Sequence, residues 1–391
     1  MNTHVHVPPN FSAFAGVEDA VGAAATEGIR ALGVSNFHDV RVYRRFADAA
    51  RAAGLLPLFG LEFVTVLDGP MRDGTRINDP ANPGRMYLCG KGIDPFAALT
   101  PPVERLAEAV RAADRTRMAA MVPLLRDRFE AAGLDTSLTA ENIAEEVAER
   151  AEVPTAWVVL QERHLAMAFQ EALFLRIPPD QRAAILARAY GGPAGVSVDD
   201  PIAVQGEMRS RLMKSGRAAF VLESPVAFED AFRLVLEMGG IPCYPTLADG
   251  TDPVCPWEAP PEALAARLLD HGIQAAELIP GRNQPSTVDA YVAAFASAGI
   301  IVMAGTEHNT LDRIPIRPRC ADGSPPSEAA DAAFWEGACI VAAHQHERAA
   351  GRPGFVDGAG RLNAGFDDAA SRRRWFATLG ATLIDAPRPA R

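Results

Sequence analysis

Short apolar segments alternate with amphipathic segments along the first quarter of the chain. Segments 31–34 and 55–64 are largely apolar, which is typical of buried strands, whereas 16–28 and 40–53 have the apolar spacing of helices. Residues 2–7 alternate polar side chains with β-branched ones and predict the first strand. Strands that alternate with helices of this length predict a mainly parallel sheet, which in closed form is a barrel.

The alternation stops after a fourth predicted strand at 85–92. Between about 100 and 239 the apolar positions have only helical spacing, and Pro and Gly separate the segments. Strand-like apolar segments return later, at 241–245, 275–279 and 300–304. We therefore predict an α/β barrel that carries a large all-helical insertion.

This pattern divides the chain into three parts. We predict that residues 1–98 form the first part of the barrel, 99–239 the helical insertion, and 240–391 the second part of the barrel with a helical tail. A barrel with a large insertion also accounts for the length of 391 residues, which exceeds that of an ordinary α/β barrel.

Composition and charge narrow the classes of function. Hydrophobic residues make up 48% of the chain and charged residues 22%, as in a folded enzyme with a full core. The net charge is −11 and basic residues form no stripe, which argues against nucleic-acid binding. Five cysteines without a C-x-x-C pair argue against a disulfide framework. Without a signal-like start or a long apolar run, we expect a cytoplasmic protein that does not enter membranes, with its oligomeric state left open.

Histidines and acids lie at the predicted strand ends. His4 and His6 alternate along the first strand and therefore share one face, and Glu62 lies near the end of the third strand. Glu307 and His308 follow the last strand. Barrels converge such positions on one site, and imidazole with carboxylate is the ligand set of a hydrolytic metal centre. Taken alone, the His-x-His pair is equally compatible with two hydrogen-bonded histidines or a tag remnant.

Several cations are predicted near the same end of the barrel. Arg85, Lys91, Arg163 and Arg282 could hold an anionic substrate, because guanidinium groups bind phosphate and carboxylate through paired hydrogen bonds. Each of them is also compatible with a surface or ion-paired side chain. Two further histidines, His344 and His346, fall on a helix in positions that cannot share an ion, and we expect them at the surface.

Four stretches, taken in order, resemble the motifs of the PHP (polymerase and histidinol phosphatase) superfamily. They are Thr-His-Val-His with Asn-Phe-Ser at 3–12, Gly-Ile-Arg-Ala-Leu-Gly-Val-Ser-Asn-Phe at 28–37, Leu-Phe-Gly-Leu-Glu-Phe at 58–63 and Ala-Gly-Thr-Glu-His-Asn-Thr at 304–310. In the insertion, Gln-Glu-Arg-His-Leu-Ala at 161–166 resembles a motif that related phosphoesterases place over their site. The resemblance covers about 1–95 and 240–310 and extends to a subgroup of long members with a helical insertion.

The resemblance implies a distorted (β/α)7 TIM-like barrel with divalent metals, usually manganese, zinc or iron, that hydrolyses phosphate esters. By position, His4, His6, Glu62 and His308 match ligand or near-ligand places, and His164 matches the histidine of the insertion motif.

The chain also departs from the family pattern. Asn36 and Phe37 stand where the family has a carboxylate and a histidine, unless His38 substitutes after a shift of one residue. Tyr87 and Tyr244 stand where histidines are usual. An amide and a phenol are poor replacements for carboxylate and imidazole ligands, so we expect one or two metals at most.

These features lead to a hypothesis and two alternatives. We expect a metal-dependent hydrolase, of the phosphoesterase kind, that acts on a small anionic metabolite. His4, His6, Glu62 and His308, with His38 or Glu307, would hold one or two ions of manganese, zinc or iron; the anion would be bound by Arg163, His164, Lys91 and Arg85. The alternatives are a sugar or sugar-acid isomerase or lyase with one metal or none, and a non-catalytic binding protein.

Overall fold

The computed structural model describes residues 1–386. The strands are β1 (Asn2–Val5), β2 (Ala31–Val34), β3 (Leu56–Val66), β4 (Arg85–Lys91), β5 (Val226–Ala227), β6 (Ile241–Thr246), β7 (Ala275–Leu278) and β8 (Ile301–Ala304). The helices of the first half are α1 (Val17–Thr26), α2 (Tyr43–Ala52), α3 (Asp68–Arg72), α4 (Pro101–Ala131), α5 (Ala140–Ala151), α6 (Glu162–Arg176) and α7 (Pro179–Tyr190). Those of the second half are α8 (Pro201–Met208), α9 (Phe228–Glu237), α10 (Pro261–Asp270), α11 (Pro285–Ser297), α12 (Glu328–Ala349) and α13 (Ala369–Asp385).

Seven strands form one nearly closed sheet in the order β1-β2-β3-β4-β6-β7-β8, and the short β5 pairs with the end of β3. The return to β1 is made by backbone hydrogen bonds from Thr306 N to His4 O (3.1 Å) and from His6 N to Glu307 O (2.7 Å). Residues of β1, β2, β7 and β8 are buried throughout, as expected of strands covered on both faces. The predicted distorted TIM-like α/β barrel with a helical insertion is therefore confirmed.

One strand of the barrel runs against the others. β4 pairs antiparallel with β3 and with β6, whereas the pairs β1-β2, β2-β3, β6-β7 and β7-β8 are parallel. A parallel neighbour needs a crossover helix along the sheet, but in the connection from β3 to β4, residues 67–84, the helix α3 is only five residues long. The reversal explains why the barrel is distorted.

The helices between β4 and β5 have a hydrophobic core of their own. It includes Leu125 and Phe129 of α4, Leu165 and Phe169 of α6, and Leu186 of α7. The start of α4 and all of α9 pack into the barrel core instead, so the boundary between the two cores falls inside the predicted insertion 99–239. The proposed division of the chain into domains remains a prediction.

Two further predictions concern the cysteines and membrane-spanning helices. All five cysteines are buried free thiols, in agreement with the absence of a disulfide framework. Within residues 1–386, the helices are too short or too polar to cross a lipid bilayer.

Candidate metal centre

Two imidazoles and a carboxylate converge at one end of the barrel. His4 lies in β1 and His6 two residues further along, and their ring centroids are 5.0 Å apart. Glu62 comes from β3, and its Oε2 lies 3.6 Å from His4 Nε2 and 3.4 Å from His6 Nε2. Ligand atoms of the three residues all lie within 4.8 Å of one another, so one ion could contact all of them.

The polar atoms of this cluster are buried without hydrogen-bond partners. His4 and His6 are 0% exposed and Glu62 is 3% exposed. His4 Nε2, both ring nitrogens of His6 and Glu62 Oε2 lack a partner. An unpaired buried polar atom costs about 1–3 kcal/mol, so their convergence indicates a place for a ligand. Imidazole nitrogens with a carboxylate oxygen fit zinc, manganese or iron.

A second carboxylate holds His4 from the opposite side. Glu277, in β7, accepts a hydrogen bond from His4 Nδ1 at 2.6 Å and one from Thr3 Oγ1 at 2.7 Å. Because Nδ1–H donates to Glu277, the lone pair of His4 Nε2 is free to face Glu62. Gly305 makes room for this arrangement, since any side chain there would collide with the Cβ of His4.

Charges around the cluster shift its pKa values in opposite directions. Burial and Lys91 lower the pKa of His4, but Glu277 and Glu62 raise it more, to about 9. Burial raises the pKa of Glu62, but the neighbouring imidazoles of His4 and His6 lower it to about 2. Burial lowers the pKa of His6. A proton on His4 and a divalent cation therefore compete for the same carboxylates.

Glu62 also lines a cavity of about 530 Å³ between the barrel and the insertion. Barrel residues on its wall include Phe37, His38 and Tyr87. The phenyl ring of Phe37 stacks on His6 with centroids 5.2 Å apart, so an apolar group covers one face of this imidazole. The cavity thus joins a metal-type cluster to a space large enough for a small molecule.

The insertion lines the other wall of this cavity with charged groups. Glu162 is bound by Arg117 (2.5 Å), by Lys214 (2.6 Å) and by Arg209 (3.6 Å). Arg163 lines the cavity too, and its Nη2 donates a long hydrogen bond of 3.4 Å to Asn309. Burial and the nearby Arg209 lower the pKa of Arg163 to about 10, which leaves it protonated at neutral pH. Within residues 1–386, no carboxylate lies within ion-pairing distance of Arg163.

His38 lies in the cavity but outside the cluster. Its Nδ1 lies 2.5 Å from Asp114 of α4, its Nε2 is buried without a partner, and its ring stacks on Phe63. The carboxylate that His38 contacts comes from the insertion, and His38 is not part of the group with ligand spacing, which consists of His4, His6 and Glu62 among the described residues. That His38 replaces a metal ligand stays a prediction.

Two predicted anion-binding cations have other partners. Lys91 is 2% exposed and donates to both carboxylate oxygens of Glu277, at 2.8 and 2.9 Å. Arg85 forms an ion pair with Glu223 of the insertion. Neither residue lines the cavity. In both cases a buried cation is bound by a carboxylate distant in the sequence, and the role of Lys91 and Arg85 in anion binding stays a prediction.

The residues after β8 turn away from the cluster. His308 Nε2 donates to Ile314 O at 2.9 Å and its Nδ1 contacts Thr306 Oγ1 at 2.7 Å, so both ring nitrogens are used. Glu307 accepts from Arg282 Nη1 at 2.9 Å and from Asn309 at 2.5 Å. Glu307 and His308 have φ values of 58° and 53°, a left-handed turn that redirects both side chains. Neither residue belongs to a group with ligand spacing among the described residues, and their role as metal ligands stays a prediction.

Two other histidines are buried for structural reasons. His164 Nδ1 accepts from Gln161 N at 3.0 Å and caps α6, and burial lowers its pKa to about 3. It packs against Phe11 and does not line the cavity, whereas the adjacent Arg163 does, and a role for His164 at the site stays a prediction. His344, expected at the surface, is 0% exposed because α12 packs between β8 and α13.

Sequence reasoning missed three residues of the site. Glu277 is an acid inside an otherwise apolar strand, a signal that was visible in the sequence. Asp114 and Lys214 lie in helical and loop segments of ordinary polarity, and no pattern in the sequence distinguishes them. The structure therefore adds Glu277 behind the metal centre, and Asp114 and Lys214 on the insertion side of the cavity.

Comparisons with known proteins bear on the fold. No protein-family model matches the sequence, and no curated protein matches it. The chain is similar in structure to a candidate metal-dependent phosphoesterase from Bifidobacterium adolescentis, with a TM-score of 0.56, 14% identity, and coverage of 85% of this chain and 94% of that one. It is also similar to an amidohydrolase from Chromobacterium violaceum, solved with bound sulfate and no metal, with a TM-score of 0.53, 16% identity and coverage of 85% and 96%. These likenesses show that the chain has the barrel fold of both proteins over most of its length.

Proposed function

We propose that this protein is a metal-dependent hydrolase that binds one divalent ion at His4, His6 and Glu62. The observation that carries the proposal is the convergence of buried, unpartnered donor atoms from these residues beside a cavity of about 530 Å³. A divalent cation there would supply Lewis acidity, which promotes hydrolysis of an ester or amide. The names of the two similar structures, a candidate phosphoesterase and an amidohydrolase, support the same class.

We propose a small anionic substrate, with a phosphate ester as the first choice. Arg163 carries a positive charge into the cavity without a carboxylate partner among the described residues, and Arg209 and Lys214 share Glu162 with Arg117. Positive charge on this wall therefore exceeds negative charge, which favours an anion. The sulfate in the similar amidohydrolase is an oxyanion of the same kind.

The chain's own residues would divide the work between the two walls. His4, with its Nδ1–H held by Glu277, and Glu62 orient the ligand atoms, while Arg163 binds and orients the substrate anion. The insertion covers the barrel end and limits access of water to the cavity. Membership in the PHP superfamily, which the ordered motifs suggest, is part of this proposal.

Metal content and turnover together test the proposal. Protein purified without chelator or affinity metal should contain about one ion per chain by elemental analysis, and Glu62→Gln should bind it more than about 100-fold more weakly, since even outer partners of a metal site contribute about 10–100-fold. Turnover would be sought on phosphate esters, amides and sugar lactones with added manganese, zinc or iron.

Glu307→Gln is the matched control for this experiment. Glu307 is a carboxylate that lines the same cavity as Glu62, but it is bound by Arg282 and lies outside the cluster. The control should keep the wild-type metal affinity. Equal loss of metal in both variants, or a wild-type protein that binds no ion, would refute the proposal.

One observation favours a second candidate. Phe37 stacks on His6 and Tyr87 lines the cavity, so two places that carry ligands in the family have no metal-binding group. A centre with a single ion, or none, is compatible with a sugar or sugar-acid isomerase or lyase, or with a non-catalytic anion-binding protein. Conversion of a sugar acid without consumption of water, in the same substrate panel, would favour this candidate.

A further inference from the structure

A second group of potential ligands lies behind the proposed metal centre. His4, Cys89 and Glu277 have ligand atoms within 4.8 Å of one another, and all three residues are buried. His4 belongs to both groups, with Nδ1 directed to Glu277 and Nε2 towards Glu62. This deeper group contains a thiol, and thiolate sulfur is a preferred donor for zinc and similar soft ions. An ion entering the barrel therefore meets two alternative positions on opposite sides of one imidazole.

The ammonium group of Lys91 lies beside the deeper group of ligands, in contact with Glu277. Its Nζ lies 2.8 and 2.9 Å from the two oxygens of Glu277, 3.1 Å from Thr3 O and 3.2 Å from Ser35 Oγ. These distances are hydrogen-bond lengths for an ammonium group, whereas zinc binds oxygen at about 2.0–2.2 Å. Three N–H donors thus find acceptors on three residues, and the positive charge next to Glu277 repels a second cation.

We propose that Lys91 acts as a built-in cation that blocks the position formed by His4, Cys89 and Glu277, and so directs a metal ion to the side of His4 that faces the cavity. This inference rests on the proposed metal-binding function. Lys91 is a positioning residue in this role, because it contacts neither the cavity nor the ligand atoms of the proposed centre. It explains why a lysine that is only 2% exposed lies beside a metal-type cluster.

Cobalt and cadmium binding to Lys91→Ala tests the proposal. Removal of the ammonium group opens space beside Glu277 and leaves its charge without a cation, so Co²⁺ or Cd²⁺ should enter and bind Cys89. The expected signature is a thiolate-to-metal charge-transfer band that wild type lacks. The band should disappear in the double variant Lys91→Ala/Cys89→Ser, which is the matched control.

Several outcomes would overturn the proposal. A thiolate band in the wild-type protein would mean that Lys91 does not block the position, and a folded Lys91→Ala without a band at saturating metal would mean that the position does not bind ions. If Lys91→Ala folds only in the presence of Cd²⁺, the band in that folded protein decides between the same two results. A variant that never folds is replaced by Lys91→Ser, read in the same way.

Failure of this inference is distinguishable from failure of the proposed function. The proposed function is tested by metal bound to the wild-type protein and its loss in Glu62→Gln. The inference is tested by the appearance of the thiolate band when Lys91 is removed. Wild type that binds one ion without a band, together with a folded, band-free Lys91→Ala, would leave the function supported and reject the role of Lys91.

Discussion

On the barrel side of the cavity, buried donor atoms of His4, His6 and Glu62 converge without partners, whereas on the insertion side the buried carboxylate of Glu162 is held by Arg117 and Lys214. The first arrangement is costly unless a ligand completes it, and in the second the carboxylate already has its partners, with positive charge in excess. The two walls are therefore expected to serve different steps. We expect the barrel wall to determine whether an ion binds and the insertion wall to determine which anion is accepted.

The largest expected effect comes from the buried ion pair behind the barrel wall. Glu277→Gln leaves Lys91, which is 2% exposed, without its counter-ion, and breaking such a pair costs about 3–5 kcal/mol of unfolding free energy. Urea unfolding of the variant and wild type measures this loss. On the insertion side, Lys214→Met should cost less than about 1 kcal/mol, because Lys214 is partly exposed and Glu162 keeps Arg117.

A double variant separates charge from packing in this test. Lys91→Met with Glu277→Gln removes both charges, and should recover most of the stability lost in Glu277→Gln alone, because replacing a whole buried pair is often nearly neutral. If the single Glu277→Gln variant unfolds at the wild-type urea concentration, the barrel wall is no more dependent on its buried charges than the insertion wall.

The next effect is the acid sensitivity of the insertion. Burial opposes ionisation of Glu162, but Lys214 and Arg117 lower its pKa from the ordinary 4.5 to about 2. The stability from this group is therefore present above pH 4.5 and is lost as pH falls towards 2, and it amounts to roughly 3 kcal/mol. The protection factors of α6 amides, which correct for the pH dependence of the intrinsic exchange rate, should fall between pH 5 and pH 3 in wild type.

Glu162→Gln provides the comparison for this prediction. The variant has no carboxylate to protonate at this position. Its α6 amides should therefore be less protected than those of wild type at pH 5, and their protection factors should change less on acidification. Amides of β7 and β8 serve as the internal reference, because those strands belong to the barrel core. An unchanged pH response of α6 in the variant would assign the acid sensitivity to another group.

The smallest expected effect concerns the choice of anion. Arg163→Lys keeps the positive charge but loses the planar pair of donors, and should raise KM for the substrate, or the inhibition constant of sulfate, by roughly tenfold with little change in kcat. Arg117→Lys is the control, because Arg117 is already bound to Glu162 and Glu223. Equal effects of the two substitutions would mean that the unpaired state of Arg163 has no bearing on anion binding.

The sequence pattern predicted the strands well because burial on both faces makes them continuous apolar segments. Segments 31–34, 241–245 and 300–304 fall within a residue of observed strands. The direction of β4 was not predictable in the same way, since apolar spacing carries no information about the path of the chain between strands. That path depends on the packing of the connection.

The candidate site was predicted where ligands lie on the strands themselves. His4 and His6 are two residues apart on one strand, and their shared face follows from strand geometry. Lys91 and Arg85 were predicted near the anion because the sequence gives no sign of their partners. These partners, Glu277 and Glu223, are more than a hundred residues away in sequence. A charged side chain in a sequence does not reveal its counter-ion, and only the folded chain brings the two together.

The helix α4 has a mechanical consequence for the cavity. Its first residues, such as Val103 and Ala107, are packed in the barrel core, while Met121, Leu125 and Phe129 are packed in the core of the insertion. Because this continuous helix is packed in both cores, the insertion cannot move away from the barrel without unpacking one of the two cores. Residues 214–225 form no helix or strand, and four of them line the cavity, so we expect movement of this loop, and not a hinge between the two cores, to set the rate of exchange with solvent.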